Sequence, residues 1–298
     1  MAIPESQLDT WSHQGSVTQS RDTYATVKRA LEVPDTKYAG KDFEVFLQGS
    51  YGNDTNIYAE SDVDVVIRLD STFHYDLKAL TPAESAAFEA AYPGSAPYSY
   101  SAFKADVVAA LEKSFATSVN PDKKAVKIKA DGNRRNADVV VATKFRRYSS
   151  FPSLAGAQAE CGICFFTSSG DRIVNYPKQH SANCTTKHQA TNGWFKPMVR
   201  ILKNMRRKLV DDGSIEEGSA PSYFLEGLVY NVPNDKFGSS YGDTFVAAVN
   251  WILQAERKDL VCANEQYYLV RDSAPTCWPC SNCAAFLDAV AKLWTDWK

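Results

Sequence analysis

Apolar residues recur at helical spacing near the start of the chain, at Leu8 and Trp11 and again at Tyr24, Val27 and Leu31. That pattern predicts one long or broken helix ending at Pro34. The period then drops to two. Phe43 to Gln48 is a short apolar run stopped by Gly49, and Asp62 to Leu69 alternates strictly, with Val63, Val65, Ile67 and Leu69 on one face and Asp62, Asp64, Val66 and Arg68 on the other. Ser101 to Thr117 is helical in pattern, and Ala125 to Ala130 and Ala137 to Ala142 read as strands around an Asp131-Gly132-Asn133 turn. Ser149 to Asn192 reads as irregular. From Asn192 onward the period is helical, best over Trp194 to Val210, Ser222 to Asn231, Gly242 to Glu256 and Ser281 to Trp297. The expectation is an α+β lobe followed by a helical lobe, with a ligand cleft between them.

Bulk composition narrows the classes of function. At 298 residues and 44% hydrophobic content, the chain can bury a full core without a partner. A formal charge of -2 and a pI near 6.1 provide no global basic field for holding nucleic acid. No run of 18 apolar residues occurs, and the N-terminus lacks a basic-then-apolar leader. The sequence therefore reads as a cytoplasmic monomer with no membrane and no favoured nucleic-acid partner. Seven cysteines leave an odd thiol, so reduced cysteine is the simpler assumption. Two sets bear on structural zinc: Cys161 and Cys164 with His180 and Cys184, and Cys277, Cys280 and Cys283 with Cys262. Neither has a strong zinc spacing, and buried free cysteine is common.

The richest chemistry lies in the stretch from Gly49 to Asp64. Strand alternation puts Asp62 and Asp64 on one face about 7 Å apart, near enough for their oxygens to share hard cations. Gly49 and Ser50 end a strand, where a tight turn aims N–H groups and a hydroxyl at phosphate oxygens. Asp138 sits in a second apolar strand, Asn136 to Val141, where a charge calls for a reason. Taken singly, these acids read as a solvated strand face and a strand-entry residue. Taken together, clustered carboxylates repel one another unless a cation neutralises them, which favours metal.

Gly49-Ser50, eleven residues, then Asp62-Val63-Asp64-Val65 resembles the signature of the polymerase-β-like nucleotidyltransferases, and Asp138 matches their third carboxylate. Gln48-Gly49-Ser50-Tyr51-Gly52, Thr55-Asn56-Ile57 and Pro221-Ser222-Tyr223-Phe224-Leu225-Glu226 extend the resemblance, over both lobes, to the bacterial cGAS/DncV-like nucleotidyltransferases (CD-NTases). The resemblance implies a polymerase-β-like palm, a mixed twisted sheet with flanking helices. It divides the chain into residues 1–190, a transferase core with an N-terminal spine helix, and residues 191–298, a helical lobe like those of oligoadenylate synthases and poly(A) polymerases. It implies two Mg²⁺ ions, with Mn²⁺ an alternative, on Asp62, Asp64 and Asp138 as catalytic and metal-binding residues. ATP and GTP would give a cyclic GMP-AMP dinucleotide that activates an effector in antiphage defence.

Further along, Lys196, Arg200, Lys203 and Arg207 form one basic stripe on the Trp194 to Val210 helix. It is either a solvated cationic face or a triphosphate contact, and the resemblance assigns the contact to Lys203 or Arg200. The resemblance also gives Gln48, Gly49, Ser50 and Ser222 to nucleotide binding, Ser222 opening a helix whose free N–H groups suit an anion. Tyr223 stacks on a base or simply packs. His180 and His188 fall in what reads as a surface loop. Two competing functions remain: a template-independent enzyme that makes linear oligonucleotides or modifies RNA or protein, and a catalytically silent nucleotide-binding protein.

Overall fold

The computed structural model describes every residue except Met1, Ala59, Glu60, Ser61, Ser273, Pro275 and Lys298. The chain packs as two compact units. One comprises residues 18–48 and 61–177, and the other 1–17, 49–60 and 178–298. The chain passes between the units at 17/18, 48/49, 60/61 and 177/178. The N-terminal pattern is indeed broken: α1 (Glu5–Ser12) belongs to the second unit and α2 (Thr18–Leu31) to the first.

The first unit is built on a seven-stranded mixed sheet, among the described residues. Its strands are β1 (Phe43–Leu47), β2 (Val63–Asp76), β3 (Val119–Pro121), β4 (Val126–Ile128), β5 (Ala137–Ser150), β6 (Gln158–Phe166) and β7 (Arg172–Asn175). The order is β1-β2-β5-β4-β3, with β6 paired to the far half of β5 and β7 to β6. Only β2 and β5 run parallel, so they need a crossover, which α4 (Pro82–Ala91), α5 (Tyr100–Phe115) and the β3–β4 pair supply. α2 and α5 pack on β2 and β5. The opposite face buries Val66, Val140, Ala142, Ile163 and Phe165. β2 is thus covered on both sides, and even Arg68, on its polar face, is buried against Asp70 and Glu44.

One expectation fails here, and one helix had no expectation. The stretch from Ser149 to Asn192 is not irregular, for it holds the end of β5, all of β6 and β7, and α6 (Pro177–Ala190). α6 buries only His180 and Cys184, so it has no apolar period to betray it. α4 also went unseen, although Thr81 and Glu84 form a capping box at its start.

The second unit is helical. α1, α6, α7 (Phe195–Asp211), α8 (Ser222–Asn231), α9 (Tyr241–Gln254) and α10 (Cys280–Thr295) surround one core, which includes Phe195, Met198, Leu225, Leu228, Phe245, Trp278 and Phe286, and the single turn α3 (Gly49–Gly52) belongs to the same unit. Among the described residues, no helix is long and apolar enough to cross a membrane.

Candidate active site

The carboxylates line up by strand register. Parallel pairing sets Asp64 opposite Asp138 across β2 and β5, and cross-strand partners point to one face. The row continues on both sides. Antiparallel β4 sets Lys127 opposite Asp138, and β3 sets Asn120 opposite Lys127. Beyond β2, the Gln48 N–H donates to the Asp64 carbonyl at 3.0 Å. Asp62 lies just ahead of β2, where its carboxylate accepts from Asn136 Nδ2 at 3.1 Å. Asn136 precedes Asp138 by the same two positions that separate Asp62 from Asp64.

Charge is disfavoured at this spot. Burial raises the pKa of Asp138, the negative charge of Asp62 raises it further, and Lys127 pulls the other way. Lys127 itself is paired with Asp122 at 2.9 Å. Asp62 is exposed, and Asp64 and Asp138 are half-buried. The three carboxylates stop short of a closed ligand set, since the one group among the described residues whose ligand atoms all lie within 4.8 Å of one another is His180, Cys184 and Glu226. The donor set nonetheless fits a divalent cation, because the hard oxygens of Asp64 and Asp138 on neighbouring strands and of Asp62 just ahead of β2 would have their mutual repulsion relieved by Mg²⁺.

Gly49 turns the chain out of β1 with a positive φ of 63°, a conformation that favours glycine. Ser50 follows in α3 and is 9% exposed. Backbone bonds close the turn, Asn53 N to the Gly49 carbonyl at 3.0 Å and Thr55 N to the Ser50 carbonyl at 2.9 Å. Between them Asp54 takes a positive φ of 55°, so something must hold it there.

The basic stripe of α7 does the holding. Lys196 pairs with the Asp54 carboxylate at 2.9 Å. Arg200 donates to the Asp54 carbonyl at 2.7 Å and to the Ser12 carbonyl. Lys203, 0% exposed, donates to Thr55 Oγ1 at 3.2 Å and pairs with Glu226 at 3.2 Å. These three cations are buried and partnered within the unit. Only Arg207 is exposed, beside Asp211.

At the start of α8, Ser222 Oγ accepts from Arg206 Nη1 at 3.0 Å. Tyr223 stacks on His180, ring centroids 4.9 Å apart and 24° from parallel, and its hydroxyl accepts from Asn264 Nδ2 at 2.9 Å. His180 and His188 lie on α6, not in a loop, and His180 is buried against Glu226. Neither zinc set forms. Cys161 and Cys164 are an odd step apart on β6 and therefore face opposite sides, while Cys262, Cys277, Cys280 and Cys283 are not gathered among the described residues. Burial raises the Cys184 thiol and pushes Cys262 up to about 12, which suits inert core thiols. Sequence reasoning gave no role to Arg206, Lys127 and Asn136, nor to Glu226 beyond its place at the end of the Pro221-to-Glu226 motif. The strand spacing of Asn136 and Lys127 carried a usable signal.

Residues 182–295 match the family described as the cGAS/DncV-like nucleotidyltransferase C-terminal helical domain. The chain is 38% identical to the cyclic UMP-AMP synthase of Rhodothermus marinus, covering 100% of this chain and 99% of that protein. It is 33% identical to the cyclic nucleotide synthase CdnE01 of Staphylococcus haemolyticus, with 100% of both covered. The solved structure of Rhodothermus marinus CdnE c-UMP-AMP synthase with Apcpp and Upnpp superposes with a TM-score of 0.88 at 37% identity, covering 99% of this chain and 97% of that one. The Elizabethkingia meningoseptica CdnE cyclic dinucleotide synthase with GTP and Apcpp gives 0.77 at 30% identity, covering 99% and 98%.

Proposed function

The chain belongs to the cGAS/DncV-like nucleotidyltransferases, and from that premise we propose that it joins two nucleoside triphosphates into a cyclic dinucleotide and releases pyrophosphate. The observation that carries the reading is the pairing of Asp64 with Asp138 across β2 and β5, with Asp62 two positions before Asp64. Asp62, Asp64 and Asp138 would hold two Mg²⁺ ions, which would supply acidification of the acceptor hydroxyl and charge neutralisation for the leaving pyrophosphate. In each round the acceptor oxygen forms a bond to the α-phosphorus, the α–β phosphoanhydride bond breaks, and the hydroxyl proton passes to Asp138. The first round yields a linear dinucleotide and the second closes the ring.

Other side chains orient the triphosphate. Ser50 and Ser222 supply hydroxyls, and the Gly49-Ser50 turn and the first turn of α8 supply N–H groups. Arg206 donates to Ser222 Oγ and so orients that hydroxyl. Arg200 and Lys203 act through the 53–55 segment they hold, and Gln48 acts by tying the turn to β2. In this reading residues 1–190 are the transferase core and residues 191–298 the helical lobe. ATP is one substrate. GTP is the second in the first reading, which gives cyclic GMP-AMP. The 38% identity to a cyclic UMP-AMP synthase supports UTP as the second reading.

Incubation with labelled ATP, GTP, CTP and UTP and Mg²⁺, followed by phosphatase and mass spectrometry, tests the proposal. The expected result is a phosphatase-resistant dinucleotide and stoichiometric pyrophosphate. Linear, phosphatase-sensitive products would point to an oligonucleotide synthase, and NTP binding without pyrophosphate would point to a silent binding protein.

A further inference from the structure

Glu226 is 2% exposed, and no reaction step above uses it. Its two oxygens meet four donors. One oxygen takes Thr55 Oγ1 and the Lys203 ammonium at 3.2 Å, and the other takes Asn53 Nδ2 at 2.9 Å and His180 Nε2 at 2.6 Å. A carboxylate has about four acceptor sites and no proton to donate, so the set is complete. No neutral residue could satisfy it, since glutamine has a single acceptor oxygen. The acceptor-only carboxylate also fixes the proton of His180 on Nε2. Cys184 lies close enough for His180, Cys184 and Glu226 to suggest a metal site. The Lys203 ammonium already fills the cation's role there, and so the cluster is better read as a hydrogen-bonded hub.

What the hub joins is informative. Asn53 and Thr55 are the residues whose N–H groups close the turn on Gly49 and Ser50. His180 is the ring on which Tyr223 stacks. Glu226 stands four residues after Ser222 on α8, on the same side of the helix. One buried carboxylate thus connects the Ser50 turn, the Tyr223 ring and the helix that begins at Ser222. An ion pair at such depth is a weak source of stability against an apolar pair of equal volume, which leaves geometry as the reason for it.

We propose that Glu226 is the positioning residue of this enzyme: through Asn53 and Thr55 it sets the Gly49-Ser50 turn against the start of α8, and through His180 it sets the plane of Tyr223. The inference rests on the transferase reading above. A turn displaced by about 1 Å misdirects the triphosphate and slows the chemical step by about 10²-fold while binding survives.

The test measures kcat, KM and the melting temperature of the full chain. Thr55→Val keeps the shape and removes one donor; the expected result is a kcat lower by about 10- to 100-fold, KM within about threefold, and a melt lowered by only a few degrees, with the chain still folded at the assay temperature. Thr55→Ser, which restores the hydroxyl, should recover most of the loss. Lys203→Met with Glu226→Gln removes the buried charges together and should fold yet show the same loss of kcat. The inference is overturned if Thr55→Val and the double variant turn over like wild type, or if activity falls only in step with the folded fraction. A wild-type chain that makes no product from any NTP with Mg²⁺ removes the transferase reading itself, and this inference with it.

Discussion

Asp64 shares its row with Asp138, so Asp64→Asn removes one negative charge from a site where burial and Asp62 already disfavour the ionised form of Asp138. The expected outcome is pyrophosphate release lower by at least about 10²-fold, with a melting temperature equal to or above that of the parent. Wild-type release with Mg²⁺ present would refute the carboxylate assignment. Asp62 and Asp64 could be paired in the sequence because side chains two positions apart in an extended segment share a face, whereas Asp138, on another strand, was joined to them by the family resemblance. Glu226 was not legible, since its donors stand 46, 171 and 173 residues away for His180, Thr55 and Asn53. The α7 stripe was seen as a stripe, but its direction was not. A helical period gives the angle between Lys196, Arg200 and Lys203 and not the neighbour they meet, and here that neighbour is Asp54, Thr55 and Glu226.

Among the elements, Gly15 lies between α1 and α2 and packs closely against the segment at Asn56 and Ile57. A Cβ on Gly15 would stand 2.7 Å from both the carbonyl carbon and oxygen of Ile57, which are backbone atoms with little room to yield. Gly15 N also donates to the Asn56 carbonyl at 3.1 Å, and Asn56 Nδ2 donates back to the Gly15 carbonyl at 3.2 Å. Gly15→Ala should therefore cost about 1–3 kcal/mol in urea unfolding, a value typical of overpacking. No change in the unfolding midpoint would show that the contact is not tight. Strong periods located α5, α7, α8, α9 and α10 to within a residue or two, because each buries one apolar stripe. α6 escaped because the side chains it buries are a histidine and a cysteine, which are held by Glu226 and by the core respectively. β6 escaped because Gly162 interrupts its apolar run, at a point where a Cβ would stand 2.6 Å from the Asn175 carbonyl oxygen of β7.

At the scale of the whole molecule, two equilibria bear on stability, ligand binding and protonation. Mg²⁺ that binds only the folded carboxylate cluster should raise the melting temperature in a concentration-dependent way, at about 2.7 kcal/mol when the ion is at 100 times its dissociation constant. Asp62→Asn with Asp64→Asn should abolish that rise. Protonation acts through Glu226. Burial alone would raise its pKa, but Lys203, His180 and Thr55 together hold it well below the usual carboxylate range. A depressed folded pKa means that the unfolded chain takes up the proton more readily, so the contribution is fully present above the unfolded value of about 4.3 and is lost as pH falls toward the folded value. Glu226→Gln leaves Lys203 buried without its counter-ion and should lower stability by about 3–5 kcal/mol at pH 7. Below about pH 4.3 the parent loses what the variant never had, so the gap between them should narrow as acid is added. Urea unfolding of both proteins from pH 7 down to the lowest pH at which the parent still folds measures that gap. A gap that stays constant across the series would mean that the carboxylate is not held ionised by its neighbours.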